Sequence, residues 1–285
     1  MYIELYLSLD IILTNYLLSI LQYVILCSPK NYQIWYHRRA LLEYRFKGRD
    51  ESDTVALQVA KTELEYVDKI LGDDSKNYHA WSHRQWIIRT LNSPELWSSE
   101  IEYSHSKVLS DPRNNSAWNQ RWFALHEGKV SNVASKGSSV LSFDKAKEEA
   151  HYALSGAKVD PYNESPWRYL IGVLMEQWRL VQRGGEDDTV VDTTEVTNLI
   201  RESIASIREM KQSLEEQPPT NEHSTGPSVS LLSALVDLLE IFTDEKDMLM
   251  EAKNKCGELI LEDPVRRKYW LKRQKTIAKL LENTA

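Results

Sequence analysis

The side chains able to do chemistry in this 285-residue chain gather just ahead of recurrent tryptophans. Lys30, Tyr32 and Gln33 precede Trp35, and Tyr78 and His79 precede Trp81. They offer a cation, two phenols, an amide and an imidazole, all able to donate hydrogen bonds. Metal chemistry within the chain is not expected. Seven histidines are present, but His37 and His83 fall inside repeat helices, and there is no Cys-x-x-Cys, no His-Glu-x-x-His and no clustered Cys/His set. Cys27 and Cys256 are too far apart in sequence to suggest a disulfide framework, and a reducing, cytoplasmic setting follows. The run Gly184-Gly185-Glu186-Asp187-Asp188 reads as a solvated loop, because hard cations need ligands fixed by a fold.

The elements that position these residues are repeats. The first reads Pro29-Lys30-Asn31-Tyr32-Gln33-Ile34-Trp35-Tyr36-His37-Arg38, the second Lys76-Asn77-Tyr78-His79-Ala80-Trp81-Ser82-His83-Arg84, and the third Asp111-Pro112-Arg113-Asn114-Asn115-Ser116-Ala117-Trp118-Asn119-Gln120-Arg121. More worn copies begin at Asp160-Pro161 and Asp263-Pro264 and lead to Trp167 and Trp270. The gap between these two tryptophans leaves room for one unrecognised repeat plus an insertion. Each unit has an upstream segment of helical period, in which Tyr66, Tyr103 and Tyr152 recur at one spacing and Ile20 takes the corresponding place. Trp35 with Arg38, Trp81 with Arg84, Trp118 with Arg121 and Trp270 with Arg273 are each three apart, so both members project from one side of a helix. Because the pair recurs in every unit, it reads as structural, the indole filling the space between hairpins and the guanidinium bonding across the repeat interface.

The expected fold is all-α, a right-handed α-solenoid of helical hairpins. It is read as one domain over 1–285, with repeats headed near 29–39, 75–86, 111–122, 160–170 and 263–273. The 181–230 stretch is read as an insertion with polar loops and a helix over Thr194–Glu216, bracketed by the Gly-acidic run and Gln217-Pro218-Pro219-Thr220. Composition agrees with a helical protein: 42% hydrophobic residues can bury a core, while ten glycines and nine prolines are few for a many-turned β protein. A net charge of -7 argues against a general nucleic-acid binder. The uncharged run Ile11–Ser28 approaches the length of a membrane span, but Glu4 and Asp10 precede it and Thr14, Asn15, Ser19 and Gln22 interrupt it. It is read instead as the back helix of the first repeat, over Thr14–Cys27.

These repeat words resemble the α subunit shared by protein farnesyltransferase and type I protein geranylgeranyltransferase, from about Leu18 to Trp178 and again from about Leu231. The α subunit of the Rab geranylgeranyltransferase shares the repeat but fits the local words less well. The resemblance implies a crescent of hairpins wrapped around a β subunit, which carries the catalytic zinc and most of the isoprenoid pocket. Magnesium accompanies the diphosphate, and this chain alone binds no cofactor. The implied reaction is attack of the zinc-bound cysteine thiolate of a CaaX protein on carbon 1 of farnesyl or geranylgeranyl diphosphate, with loss of diphosphate. By resemblance Lys30 reaches the diphosphate, Tyr32 and Tyr78 are phenols near it, Gln33 bonds the CaaX carboxylate, and His79 lies at the same rim. Lys30 and Tyr78 are thus the expected catalytic residues, and Tyr32, Gln33 and His79 the expected substrate contacts. A solenoid scaffold that binds a protein without chemistry is the alternative of a different class. One departure from the family pattern is a missing tryptophan repeat ahead of Pro29, where Met1–Thr14 stands instead. Since an apolar end repeat cannot cap a solenoid, this departure implies a shortened or mis-started chain.

Overall fold

The computed structural model describes residues 2–49, 53–128, 140–183, 192–216 and 228–283, with side chains from residue 11 onward. The described residues form twelve α-helices and one 3-10 turn, with no β-sheet. They divide into two compact units, Met1–Val130 and Ser131–Ala285.

The first unit contains α1 (Tyr2–Cys27), α2 (Tyr32–Phe46), α3 (Thr54–Asp73), α4 (Tyr78–Leu91), α5 (Pro94–Ser110) and α6 (Asn115–Glu127). Consecutive helices pair as hairpins, and α2, α4 and α6 pack beside one another. The expected back helix of the first repeat is α1, and it pairs with α2. Among the described residues no helix is long and apolar enough to cross a membrane. Each tryptophan helix starts at an asparagine whose carboxamide oxygen accepts from the first turn: Asn31 from the Gln33 amide (3.1 Å), Asn77 from Ala80 (3.1 Å) and Asn114 from Ser116 (3.0 Å). The same three turns receive the indoles. Trp35 donates Nε1–H to the Pro29 carbonyl (2.8 Å), Trp81 to Ser75 (2.9 Å) and Trp118 to Pro112 (2.9 Å). Asn77 and Asn114 also reach back one repeat, Asn77 Nδ2 donating to the Pro29 carbonyl (3.3 Å) and Asn114 Nδ2 to that of Ser75 (2.9 Å). One carbonyl per turn therefore fastens its own helix and the next, which sets the heads of α2, α4 and α6 side by side. At the far end of α6, Gly128 permits a close approach that a side chain would forbid, since a Cβ there would clash with the Ala124 carbonyl oxygen at 2.6 Å.

The second unit contains α7 (Phe143–Val159), α8 (Glu164–Gln182), α9 (Thr193–Glu216), α10 (Val229–Leu239), α11 (Lys246–Glu262), a 3-10 turn (Pro264–Arg266) and α12 (Arg267–Asn283). The helix expected from Thr194 is α9, which starts one residue earlier, and it packs on α10, α8 and α7. The α9–α10 hairpin thus fills the gap between Trp167 and Trp270, with α9, read above as the helix of an insertion, packed as its first member. Ser228 caps α10, its hydroxyl accepting from the Leu231 amide (3.2 Å) and donating to the Pro161 carbonyl (2.6 Å), which also receives Trp167 Nε1–H (2.9 Å). This is the tie that Asn77 makes to Pro29. Leu232 and Leu235, both fully buried, stand where the other repeats have tryptophan and arginine, so both marker residues are lost while packing is kept. The Gly-acidic run at 184–188 and Gln217–Thr220 lie outside the described residues.

Candidate functional site

The repeat heads of the first unit hold rigid backbone under exposed side chains. Lys30 lies between Pro29, whose carbonyl is fixed by Trp35 and Asn77, and the capping Asn31. Its own side chain is 80% exposed and its Nζ stands 3.5 Å from Asp74 Oδ2. Asp74 belongs to the next repeat, where its other oxygen accepts from the Lys76 amide (3.3 Å) and its carbonyl accepts from the Asn77 amide (3.0 Å). Tyr32 and Tyr78 are the first residues of α2 and α4 and are 66% and 76% exposed, so neither phenol is committed to packing. Gln33 is exposed beside Tyr32. His79 is half-buried, with its ring edge-on to Tyr78 at 5.6 Å between centroids.

The ladder brings Lys30 to the head of the second repeat and puts Tyr78 against His79. Among the described residues no hydrogen bond joins Lys30, Tyr32 or Gln33 to Tyr78 or His79, and the one partner of the Lys30 ammonium is Asp74. Sequence reasoning missed Asp74. Its signal was present in the acidic residue that recurs ahead of each head, since Asp111 and Asp160 accept from the Arg113 and Tyr162 amides (3.1 and 3.2 Å) as Asp74 does from Lys76.

Behind this rim lies a buried ionic layer built from the recurrent arginines. Arg38, 3% exposed, forks onto Glu63 of the second repeat through Nε and Nη2 (2.5 Å each) and donates Nη1–H to the Leu18 carbonyl (2.8 Å). Its guanidinium lies 4.2 Å from the Tyr66 ring centroid. Arg84 repeats the arrangement one unit on, with Glu100 at 2.6–3.0 Å and the Tyr103 ring at 3.4 Å. Tyr66 and Tyr103 therefore stack on the arginine of the preceding repeat. A polar residue of the second or third repeat completes each glutamate: His83 Nε2 lies 2.8 Å from Glu63 Oε1, and Gln120 donates to Glu100 Oε1 at 2.6 Å. Burial alone would raise the Glu63 carboxyl, but hydrogen bonds from His83 and Arg38 outweigh it and hold the group below the usual carboxylate range. For Arg84, burial would lower the guanidinium, and Glu100 reverses this and holds it above its ordinary value. Burial pushes the His83 imidazole below its usual value, and among the described residues its Nδ1 has no hydrogen-bond partner.

Trp118 and Arg121 are buried in the same register. In the last repeat Trp270 is buried but bonds to the Asp263 carboxylate (2.8 Å) rather than to a carbonyl. Arg273 turns back onto α10, pairing with Asp237 and Glu240 (both 2.6 Å), because no later hairpin among the described residues offers a glutamate. The described residues contain no group of three His, Cys, Asp or Glu side chains able to hold a metal ion.

Comparison with known proteins gives these repeats a family. The model of the protein prenyltransferase alpha subunit repeat matches residues 15–45, 60–91 and 97–127, which are the three hairpins of the first unit. The chain is 26% identical over 249 residues to the geranylgeranyl transferase type-2 subunit alpha of Saccharomyces cerevisiae, covering 85% of this chain and 68% of that protein. It is 29% identical over 192 residues to the protein farnesyltransferase/geranylgeranyltransferase type-1 subunit alpha of Dictyostelium discoideum, covering 56% of each. The corresponding type-1 subunit of Arabidopsis thaliana is 29% identical over 186 residues, with 64% of this chain and 49% of that protein covered. The matched stretches thus span about half to two thirds of these relatives. The first unit thus carries the protein prenyltransferase alpha subunit repeat in three consecutive hairpins, and the chain is similar to alpha subunits of both enzyme types.

Proposed function

We propose that this chain is the α subunit of a heterodimeric protein prenyltransferase acting on CaaX proteins, active only with a β subunit, in the cytoplasm. The observation that carries the reading is the rim at the heads of α2 and α4, where Lys30, Tyr32, Gln33, Tyr78 and His79 project from a fastened backbone and, among the described residues, the Lys30 ammonium alone has an ion-pair partner, Asp74. In the reaction a cysteine sulfur forms a bond to carbon 1 of farnesyl or geranylgeranyl diphosphate as the carbon–oxygen bond breaks, and the electron pair leaves with diphosphate. Zinc held by the β subunit would keep the thiol deprotonated, and magnesium would accompany the diphosphate. This chain's part is electrostatic. Lys30 and the Tyr78 phenol donate to the diphosphate oxygens as charge grows on them, where a pre-placed donor contributes most. Tyr32 and His79 line the same rim, and Gln33 donates to the C-terminal carboxylate of the protein substrate. The contact with Asp74 keeps the Lys30 ammonium at the head of α4 before the diphosphate arrives, so little reorganisation is left for the chemical step.

A second reading, the α subunit of a type II enzyme acting on Rab proteins, is favoured by the long match to the Saccharomyces type-2 subunit. Co-expression with a farnesyltransferase β subunit, and separately with a type II β subunit, tests both. The proposal expects a stable complex with the first and labelled isoprenoid transferred to a CaaX peptide. Assembly and transfer only with the type II partner would move the assignment to Rab proteins, and assembly with neither would leave the scaffold reading.

A further inference from the structure

Four lysines of α12 stand in one row. With the buried Trp270, Ile277 and Leu281 marking the side turned to the core, a step of about 100° per residue carries Lys268, Lys272, Lys275 and Lys279 to the opposite side. All four are exposed, and the row is about 17 Å long at a rise of ~1.5 Å per residue. Among the described residues none of the four has an ion-pair partner, whereas Arg266 is engaged with Asp263 and Arg273 with Asp237 and Glu240. Like charges at this spacing repel and weaken a helix, so the row does not serve the stability of α12. It also runs against the sign of a chain whose net charge is -7. Where α11 meets α12, apolar and aromatic side chains stand in solvent next to it: Val265 is 93% exposed, Leu261 76% and Tyr269 52%.

We infer that this face docks on an anionic lipid surface, the lysines against the headgroups and Val265 with Leu261 entering the boundary of the acyl chains. A defined acidic peptide would be read by guanidinium forks held in place, and here the forks of Arg266 and Arg273 are turned into the fold. Flexible ammonium groups in a line suit a diffuse sheet of negative charge, and aliphatic residues with a tyrosine beside them suit the bilayer interface. The inference is independent of the prenyltransfer reading, because it concerns a different unit of the chain and is tested without turnover.

The test is sedimentation of the full chain, as its complex where a β subunit is needed, with vesicles of phosphatidylcholine containing about 30% phosphatidylserine and with pure phosphatidylcholine, at roughly 0.1 M salt. Binding to the anionic vesicles alone is expected. Each lysine near such a surface contributes about fivefold, so Lys→Gln at 268, 272, 275 and 279 together lowers the partition coefficient by at least about 100-fold. Glutamine keeps the helix propensity of lysine, and an unchanged circular dichroism spectrum verifies the fold. A control that neutralises Lys47, Lys69, Lys147 and Lys158, all outside α12, instead stays within about threefold, because it leaves the lysine row intact. Equal binding to neutral vesicles, equal loss in the control, or undiminished binding by the quadruple variant overturns the inference. So does a parent that ignores vesicles while the quadruple variant loses assembly with the β subunit, the outcome expected of an acidic protein partner.

Discussion

Replacing Glu63 by glutamine keeps its shape and removes its charge from beneath two buried partners. Arg38 and Glu63 are 3% and 4% exposed, and the remaining contacts of the guanidinium are the Leu18 carbonyl and the face of Tyr66. The glutamine amide adds two N–H donors where Arg38 needs acceptors. Stranding a buried charge in this way costs about 3–5 kcal/mol, against a stability of roughly 5–15 kcal/mol for a domain. Arg38→Met leaves the glutamate stranded with His83 as its remaining donor and costs a similar amount. The double variant Arg38→Met/Glu63→Leu strands nothing, and its cost falls to within about 2 kcal/mol of the parent, since apolar replacements of buried ion pairs are often close to neutral. The two singles therefore sum to far more than the double, with a coupling of several kcal/mol. Urea unfolding of the four proteins at neutral pH, followed by tryptophan fluorescence, measures the cycle. Additive single effects, within about 0.5 kcal/mol, or a Glu63→Gln cost below about 1 kcal/mol, would refute the argument that this pair fastens the first hairpin to the second.

The same network gives the chain an acid sensitivity of known sign. Burial depresses His83 in the folded state, so below about pH 6.5 the unfolded chain takes up a proton that the native chain refuses. Stability then falls with falling pH, by up to ~1.4 kcal/mol per unit for one proton. Glu63, also depressed, adds its own loss only below about pH 4.5, as pH falls toward its folded value. His83→Gln, which copies Gln120 of the third repeat, should flatten a plot of Tm against pH between 5 and 7 and leave the more acidic loss in place; an unchanged slope would assign the sensitivity elsewhere. The two thiols should separate cleanly under an aromatic disulfide reagent. Cys27 is exposed and reacts in the native chain, while Cys256 is buried with its thiol pushed up to about 11 and reacts only in urea, so two fast thiols would contradict the packing of α11.

What the sequence made legible follows from which residues are distinctive. Asparagine, tryptophan and arginine at fixed offsets marked three repeats, because the cap, the indole bond to the turn and the forked ion pair each need one particular side chain. Glu63 and Glu100 were not legible, although they complete that pair, because a lone glutamate among 42 acidic residues carries no marker. The α9–α10 hairpin was hidden for the opposite reason. Once leucines at 232 and 235 replace indole and guanidinium, Ala252 can stand buried in α11 where Glu63 stands in α3, and only Ser228 preserves the tie between turns. At the candidate site, the roles of Lys30, Tyr78 and His79 came from resemblance and not from spacing. The neighbour that orients Lys30, Asp74, lies across a repeat boundary that local words do not span.

The most direct measurement is the single-turnover rate of isoprenoid transfer by the complex of this chain with its β subunit, the parent beside Lys30→Ala. Lys30 is 80% exposed and makes one long contact with Asp74, so its loss leaves fold and assembly intact. The account predicts that the chemical step slows by about 100-fold, the scale of removing one pre-placed donor to a developing charge. Isoprenoid diphosphate should bind the two complexes almost equally. An unchanged rate in an intact complex would contradict the role of this chain in stabilising the leaving group.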